Sequence, residues 1–232
     1  MAREWARAGR DLALCARRTE ELERLRDELV REQPGITVSV HRLDVTDHDA
    51  VLAVVDDAVA ALGGLDRVVA NAGVATGGSI GTGHAESNRA TLTTNVLGTL
   101  NQAEAAVAHF RRVGSGHLAI ISSMSSLRGI GGSMNAYSAS KAALATLAEG
   151  LRSDLWGSGV TVYSIHPGYI RTDMVGHFSR PLLTAGLERG TRAIVRAIEQ
   201  ERARAYVPAL PWAALAVPMK LVPLGLFRRV AG

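Results

Sequence analysis

Residues 117–141 read HLAIISSMSSLRGIGGSMNAYSASK. The stretch opens on the apolar run Leu118 to Ile121, short and followed at once by serines, which reads as a strand from His117 to Ser122 buried on both faces. It closes inside an alanine- and serine-rich segment, Asn135 to Trp156, whose length and small side chains read as a helix that another helix can approach closely. A strand covered on both faces needs helices above and below it. Reading outward, the same alternation recurs, with strands near Asp11 to Cys15, Thr37 to Arg42, Leu65 to Ala70, Thr161 to His166 and Arg204 to Val207. Helical patterns fill the gaps. Thr19 caps one through about Glu32, with Glu20 and Glu21 on its positive end and Pro34-Gly35 stopping it. Asp47 opens another that ends at Gly63-Gly64, and a long one runs from Asn88 to Phe110. Strands alternating with helices predict an α/β fold, a doubly wound Rossmann-type parallel sheet with helices on both faces.

The chain has 232 residues, 47% hydrophobic and 21% charged, enough for one large domain with a substantial core. This excludes a disordered chain, a collagen-like repeat and a disulfide-stapled scaffold. The single cysteine, Cys15, lies in an apolar run and reads as a small buried hydrophobe, which suits a reducing cytoplasm. The formal charge is +4, yet the basic residues are dispersed and aromatics make up only 4%, so no nucleic-acid partner is expected. The seven histidines show no metal-ligand spacing, so no metal is expected. The first nine residues look like the end of an amphipathic helix and carry no signal-peptide core.

One of only two lysines, Lys141, stands four residues after Tyr137. On a helix this spacing puts both side chains on one face, with Cβ atoms roughly 5 to 6 Å apart. An ammonium beside a phenol favours the phenolate, at about 1.36 kcal/mol for each unit of lowered pKa, so Tyr137 is expected to exchange protons near neutral pH. Upstream, a serine cluster follows the strand ending near Ser122, at the edge of the sheet where ligands of such folds bind. Asn71-Ala72-Gly73 follows another strand, Asn95 lies in a helix, and Pro167-Gly168-Tyr169-Ile170-Arg171-Thr172 follows a third strand.

This set, in this order, resembles the short-chain dehydrogenase/reductase family over nearly the whole chain. The resemblance implies an oxidoreductase that moves hydride between a nicotinamide cofactor and a small carbonyl or secondary-alcohol substrate. It implies Tyr137 as general acid or base and Lys141 as the group that lowers its pKa and holds the nicotinamide ribose. Ser123 would bond the substrate oxygen, with Ser122 and Ser125 as the other candidates, because the commonest family spacing lands on Met124. Asn95 would hold a water in a proton relay. Asn71, Ala72 and Gly73 would border the cofactor, Asp44 and Val45 would meet the adenine, and Pro167, Gly168, Ile170 and Thr172 would close over the nicotinamide and phosphates. An acid after the second strand would bond the ribose of NAD; Arg17 and Arg18 stand there instead and suit the 2′-phosphate, so NADP is expected over NAD. The family analogy also implies a homodimer or homotetramer through the helices of Asn95 and Tyr137.

The family's glycine-rich phosphate turn should precede Arg17 by about 20 positions or more. It has no counterpart there, so the expected domain, residues 1–207, lacks the first strand and its turn, leaving two strand edges unpaired. We expect that the functional protein begins further upstream. Residues 76–83, TGGSIGTG, spell a similar glycine pattern but do not leave a strand directly, and read as a loop near the pocket. A non-catalytic relative, serving as a binding or membrane-surface module, is the alternative that the lost turn suggests. Residues 174–187 are expected to form an apolar substrate lid. The tail, 208–232, is apolar and broken by prolines; it is expected to pack on the body or a partner subunit, with a peripheral membrane anchor as the second reading.

Overall fold

In the computed structural model, which describes residues 1–171 and 184–231, all six expected strands form: β1 (Leu12–Ala16), β2 (Val38–Arg42), β3 (Arg67–Ala70), β4 (Gly116–Ile121), β5 (Val160–Pro167) and β6 (Arg204–Val207). The helices are α1 (Ala2–Arg7), α2 (Thr19–Glu32), α3 (His48–Leu62), α4 (Ala85–Leu92), α5 (Gly98–Val113), α6 (Asn135–Asp154), α7 (Leu187–Glu199), α8 (Ala209–Leu221) and α9 (Leu224–Ala231). All ladders are parallel, and β4 is the best-buried strand.

The pleat of β4 explains the layering. Leu118 and Ile120 point to one side, into a cluster with Phe110 of α5, Leu144 of α6 and Val162 of β5. Ala119 and Ile121 point to the other, with Tyr163, Ile165, and Ile194 and Ile198 of α7. Period-two alternation between two apolar layers is what a sheet covered on both faces requires.

Strands β3-β4-β5-β6 make one sheet, and β1-β2 a separate two-stranded sheet. Among the described residues no ladder joins β1 to β3, so the two unpaired edges expected from the sequence are present. The small sheet is held by packing instead: Leu12, Leu14 and Val38 meet Leu29 of α2 and Ala6 of α1, while Leu43 and Val51 meet Ala105 of α5.

Several local expectations need correction. Thr19 is the first residue of α2 rather than its cap; the preceding Arg18 makes no side-chain cap bond, and the acidic Glu20 and Glu21 compensate the exposed amides. Asp47 does cap α3, accepting from the Ala50 amide at 3.0 Å, and Gly63 stops that helix in the left-handed region. The long helix from Asn88 to Phe110 is instead α4 and α5 joined by a π-helical turn, Thr93–Leu97. Cys15 is exposed rather than buried, although partial desolvation pushes its thiol up to about 11. The tail forms two helices, α8 and α9, parted at Val222-Pro223. No described helix is long and apolar enough to cross a membrane. Of the expected lid, residues 174–183 lie outside the described residues.

Candidate active site

The carboxyl ends of β3, β4 and β5 open onto a cavity of about 390 Å³. Asn71 and Gly73 from the β3 loop, Ser123 after β4, Tyr137 and Lys141 on α6, and Pro167, Gly168 and Ile170 after β5 all line it. Arg17, Arg18, Asp44, Val45, Ala72 and Asn95 do not; Thr172 lies outside the described residues.

Lys141 is 4% exposed. Its Nζ donates to the Ile121 carbonyl at 2.9 Å, and the Ser122 hydroxyl donates to the Lys141 carbonyl at 2.7 Å, so the end of β4 and the first turns of α6 are tied together in both directions. This bond commits Ser122 to structure. Met124 is committed too, buried against Trp212 and Ala216. Ser122, Ser123 and Ser125 all line the cavity, and Ser123 Oγ accepts from the Ser125 amide at 3.1 Å. Two short 3₁₀ turns, Met124–Leu127 and Gly132–Met134, take up the chain between Ser123 and Tyr137. They absorb the extra residue that moves the commonest spacing onto Met124.

Burial pushes the Tyr137 phenol above its ordinary value, with a hydrogen bond to the Ser123 side chain acting in the opposite sense. The Lys141 Nζ lies 5.7 Å from the centre of the Tyr137 ring and is itself pushed down to about 8 by burial. The ammonium is therefore not among the groups that shift the phenol here. Desolvation penalises both charged forms, phenolate and ammonium, and Ser123 is the group that favours phenolate.

Asn95 is fully buried at the π-helical turn, a distortion common where a side chain must be re-aimed. Its Oδ1 accepts from the Val74 amide at 2.8 Å, and its Nδ2 donates to the Val74 carbonyl and the Ser140 hydroxyl, each at 2.9 Å. One amide hydrogen thus braces the β3 loop and the other ties Asn95 to α6. Gly73 makes that loop possible: a Cβ there would lie 3.3 Å from Asn95 Oδ1 and 3.4 Å from Lys141 Nζ. Three separate sequence motifs meet at this one contact.

Arg17 and Arg18 follow β1 directly and are exposed. Arg17 Nη1 lies 3.9 Å from Asp44 Oδ2, while Asp44 Oδ1 accepts from the Thr46 amide and hydroxyl, which holds its carboxyl below the usual value. Val45 packs on Gly98, where a Cβ would approach to 2.6 Å. The glycine pattern 76–83 lies outside the cavity lining; its Gly78 amide donates to Asn88 Oδ1 at 3.0 Å.

Sequence reading missed the far wall. Trp212 and Met219 of α8 line the cavity with Ile130, Met134 and Tyr169. Gly168 allows this closure, since a Cβ there would lie 2.0 Å from the Trp212 ring. No motif marks Trp212, because the contact joins segments 44 positions apart. Also unforeseen is the support under Ser123. The Ser126 hydroxyl donates to the Ser123 carbonyl, and Ser126 Oγ lies 3.0 Å from His166 Nδ1. Burial holds His166 neutral, pushed down to about 4.

Comparison with known proteins finds relatives that match most of the chain. The family model described as short chain dehydrogenase matches residues 1–182. An uncharacterized oxidoreductase of Mycobacterium tuberculosis is 42% identical over 231 residues, covering 100% of this chain and 91% of the relative. An uncharacterized oxidoreductase of Myxococcus xanthus is 37% identical over 236 residues, covering 97% of this chain and 88% of the relative. Among solved structures, a short-chain dehydrogenase from Sphingobium yanoikuyae in complex with NADPH superposes with a TM-score of 0.79 at 26% identity, covering 96% of this chain and 91% of that one.

Proposed function

Because the chain belongs to the short-chain dehydrogenase family, we propose that it is an NADP-dependent oxidoreductase interconverting a small carbonyl compound and the corresponding secondary alcohol, with Tyr137 as its proton donor and acceptor. The observation that carries this reading is the meeting of Tyr137, Ser123 and Lys141 on one cavity that Gly73 and Gly168 also line. A nicotinamide is compatible with these residues: Lys141 has donor capacity beyond its bond to Ile121, and Asn71 and Ser123 line the same cavity. When bound, NADPH supplies the hydride.

The chain's own groups manage the oxygen. Ser123 donates to the substrate oxygen and orients it toward Tyr137; the Tyr137 hydroxyl delivers a proton to that oxygen in reduction and removes it in oxidation. The elevated phenol pKa keeps the donor protonated, which suits the reduction direction. Lys141 holds the ribose hydroxyls, and Asn95 keeps the β3 loop at the depth at which Asn71 and Gly73 border the cofactor. The serines separate in a simple experiment. Ser123→Ala is expected to lower kcat about 10²- to 10³-fold, the cost of removing one preorganised donor to the reacting oxygen, with some loss of thermal midpoint because the buried Ser125 amide loses its acceptor. Ser122→Ala is expected to lower stability, removing the buried bond that ties the end of β4 to α6. The opposite pattern would transfer the substrate contact to Ser122.

Arg18 has no carboxylate within 4 Å among the described residues, and Arg17 only the exposed Asp44 contact. Both guanidiniums are therefore available to a 2′-phosphate, and a carboxylate alone at this strand end would repel one. Arg17→Ser/Arg18→Ser is expected to raise the KM for NADPH about 10- to 100-fold, from the loss of charge-assisted bonds, while the KM for NADH stays nearly constant. Equal effects on both cofactors in steady-state assays would overturn the assignment to NADP. The exposed Leu97 and Leu100 near the start of α5 support a homo-oligomer built on that helix, and the thiol chemistry fits a cytoplasmic setting.

A further inference from the structure

Helix α8 is apolar on both sides. Its inner side, Trp212, Leu215, Ala216 and Met219, packs against Met124, Leu127, Tyr169 and Tyr206. Its outer side leaves Leu210, Val217 and Leu221 between 63% and 76% exposed, and α9 continues the surface with Leu224 and Leu226 at 59% and 54%. Single exposed leucines are ordinary, whereas a run of them along adjoining helices marks an interaction surface. A helix that is apolar all round calls for a second apolar environment.

The charge beside this surface identifies its partner. Leu210 and Ala213 also line a groove of about 920 Å³ between α7 and the β6–α8 segment. Arg189, Arg192, Arg196, Arg202 and Arg204 line the same groove, against one acid, Glu188. Arg192 is paired with Glu4 and Arg204 with Glu149; Arg189, Arg196 and Arg202 have no carboxylate within 4 Å among the described residues. From Arg202 onward the sequence carries Arg202, Arg204, Lys220, Arg228 and Arg229 and no Asp or Glu at all. Unpaired guanidiniums thus adjoin the exposed Leu210, where the outer side of α8 begins.

We propose that this face docks on an anionic phospholipid bilayer, the groove guanidiniums meeting lipid phosphates while the outer side of α8 and the start of α9 enter the boundary between headgroups and acyl chains. A second copy of the chain fits less well, because a twofold contact would set this cationic groove against itself. Crossing the bilayer is not involved, since no described helix is long and apolar enough. Docking would place the cavity about one helix diameter, ~10 Å, from the lipid, because α8 is also its wall.

Co-sedimentation of the full chain with vesicles of phosphatidylcholine alone and of phosphatidylcholine with phosphatidylglycerol tests this. Binding to the anionic vesicles is expected to exceed binding to neutral ones at least about tenfold and to weaken between about 0.1 and 0.5 M salt. Arg189→Glu/Arg196→Glu/Arg202→Glu is expected to abolish the anionic preference, and Val217→Ser/Leu221→Ser to weaken binding, both with unchanged circular-dichroism melts. Should the charge-reversal triple fail to fold, Arg189→Gln/Arg202→Gln makes the same test with a smaller drop. Absence of vesicle binding by the unaltered chain, or equal binding to both compositions, overturns the proposal. So does a dimer in sedimentation velocity that Val217→Ser/Leu221→Ser dissolves while vesicle binding is unaffected.

Discussion

Replacing Tyr137 by phenylalanine is expected to lower kcat for carbonyl reduction by about 10²- to 10⁴-fold, the range over which a positioned proton donor acts, while leaving the dissociation constant for NADPH within about twofold. The ring keeps its place in this variant, because only the hydroxyl is removed and the hydroxyl faces the cavity beside Ser123 rather than bracing the core. Binding and chemistry therefore separate cleanly, with fluorescence titration of NADPH reporting the first and single-turnover reduction the second. An activity loss of less than about threefold would remove Tyr137 from the proton path. Loss of NADPH binding together with activity would mean instead that the phenol is part of the cofactor site.

Replacing Lys141 by methionine is expected to do two opposite things. Turnover should fall about 10²-fold or more, since the buried amine beside Tyr137 disappears. Stability should rise. Burial pushes the amine from 10.5 to about 8, which corresponds to roughly 3 kcal/mol of destabilisation at neutral pH. Its single bond to the Ile121 carbonyl returns about 1 kcal/mol, leaving a net gain of about 2 kcal/mol for methionine. For a chain of this size that is a rise in Tm of roughly 4 to 8 °C. The sign with pH follows from linkage. Below about pH 8 the amine is protonated in both folded and unfolded chains, and its cost is fully present; between about 8 and 10.5 the folded chain alone releases the proton, so the cost fades. The advantage of the methionine variant should accordingly be largest below pH 8 and vanish by about 10.5 in melts followed by circular dichroism. A methionine variant less stable than the parent at pH 7 would show that the amine is structural rather than a functional charge maintained at the expense of stability.

Strand positions were legible because each is a short apolar run ending in a polar or glycine-bearing turn, and every one formed within a few residues of its expected place. The π-helical turn at Asn95 was not, since it depends on Asn95 reaching across to Val74 and Ser140, contacts that a helical periodicity cannot announce. Thr19 misled as a cap for a related reason: capping is a matter of backbone geometry, and Arg18 holds the flanking position. Cys15 misled because alternate residues of a strand face opposite sides, and β1 belongs to a two-stranded sheet that leaves one of its residues in solvent.

By itself the sequence determined the parallel α/β architecture, the pairing of Tyr137 with Lys141 on one helix and the family to which the chain belongs, since local periodicity and short motifs depend on neighbours in the chain. Only the tertiary structure decided how Ser122 is hydrogen-bonded, how deeply the phenol is buried and which residues form the far wall. Ser122 donates to the Lys141 carbonyl, burial raises the phenol against its bond to Ser123, and Trp212 arrives from a distant helix over Gly168. Each of these depends on burial and on long-range contact, quantities that exist only once the chain has folded.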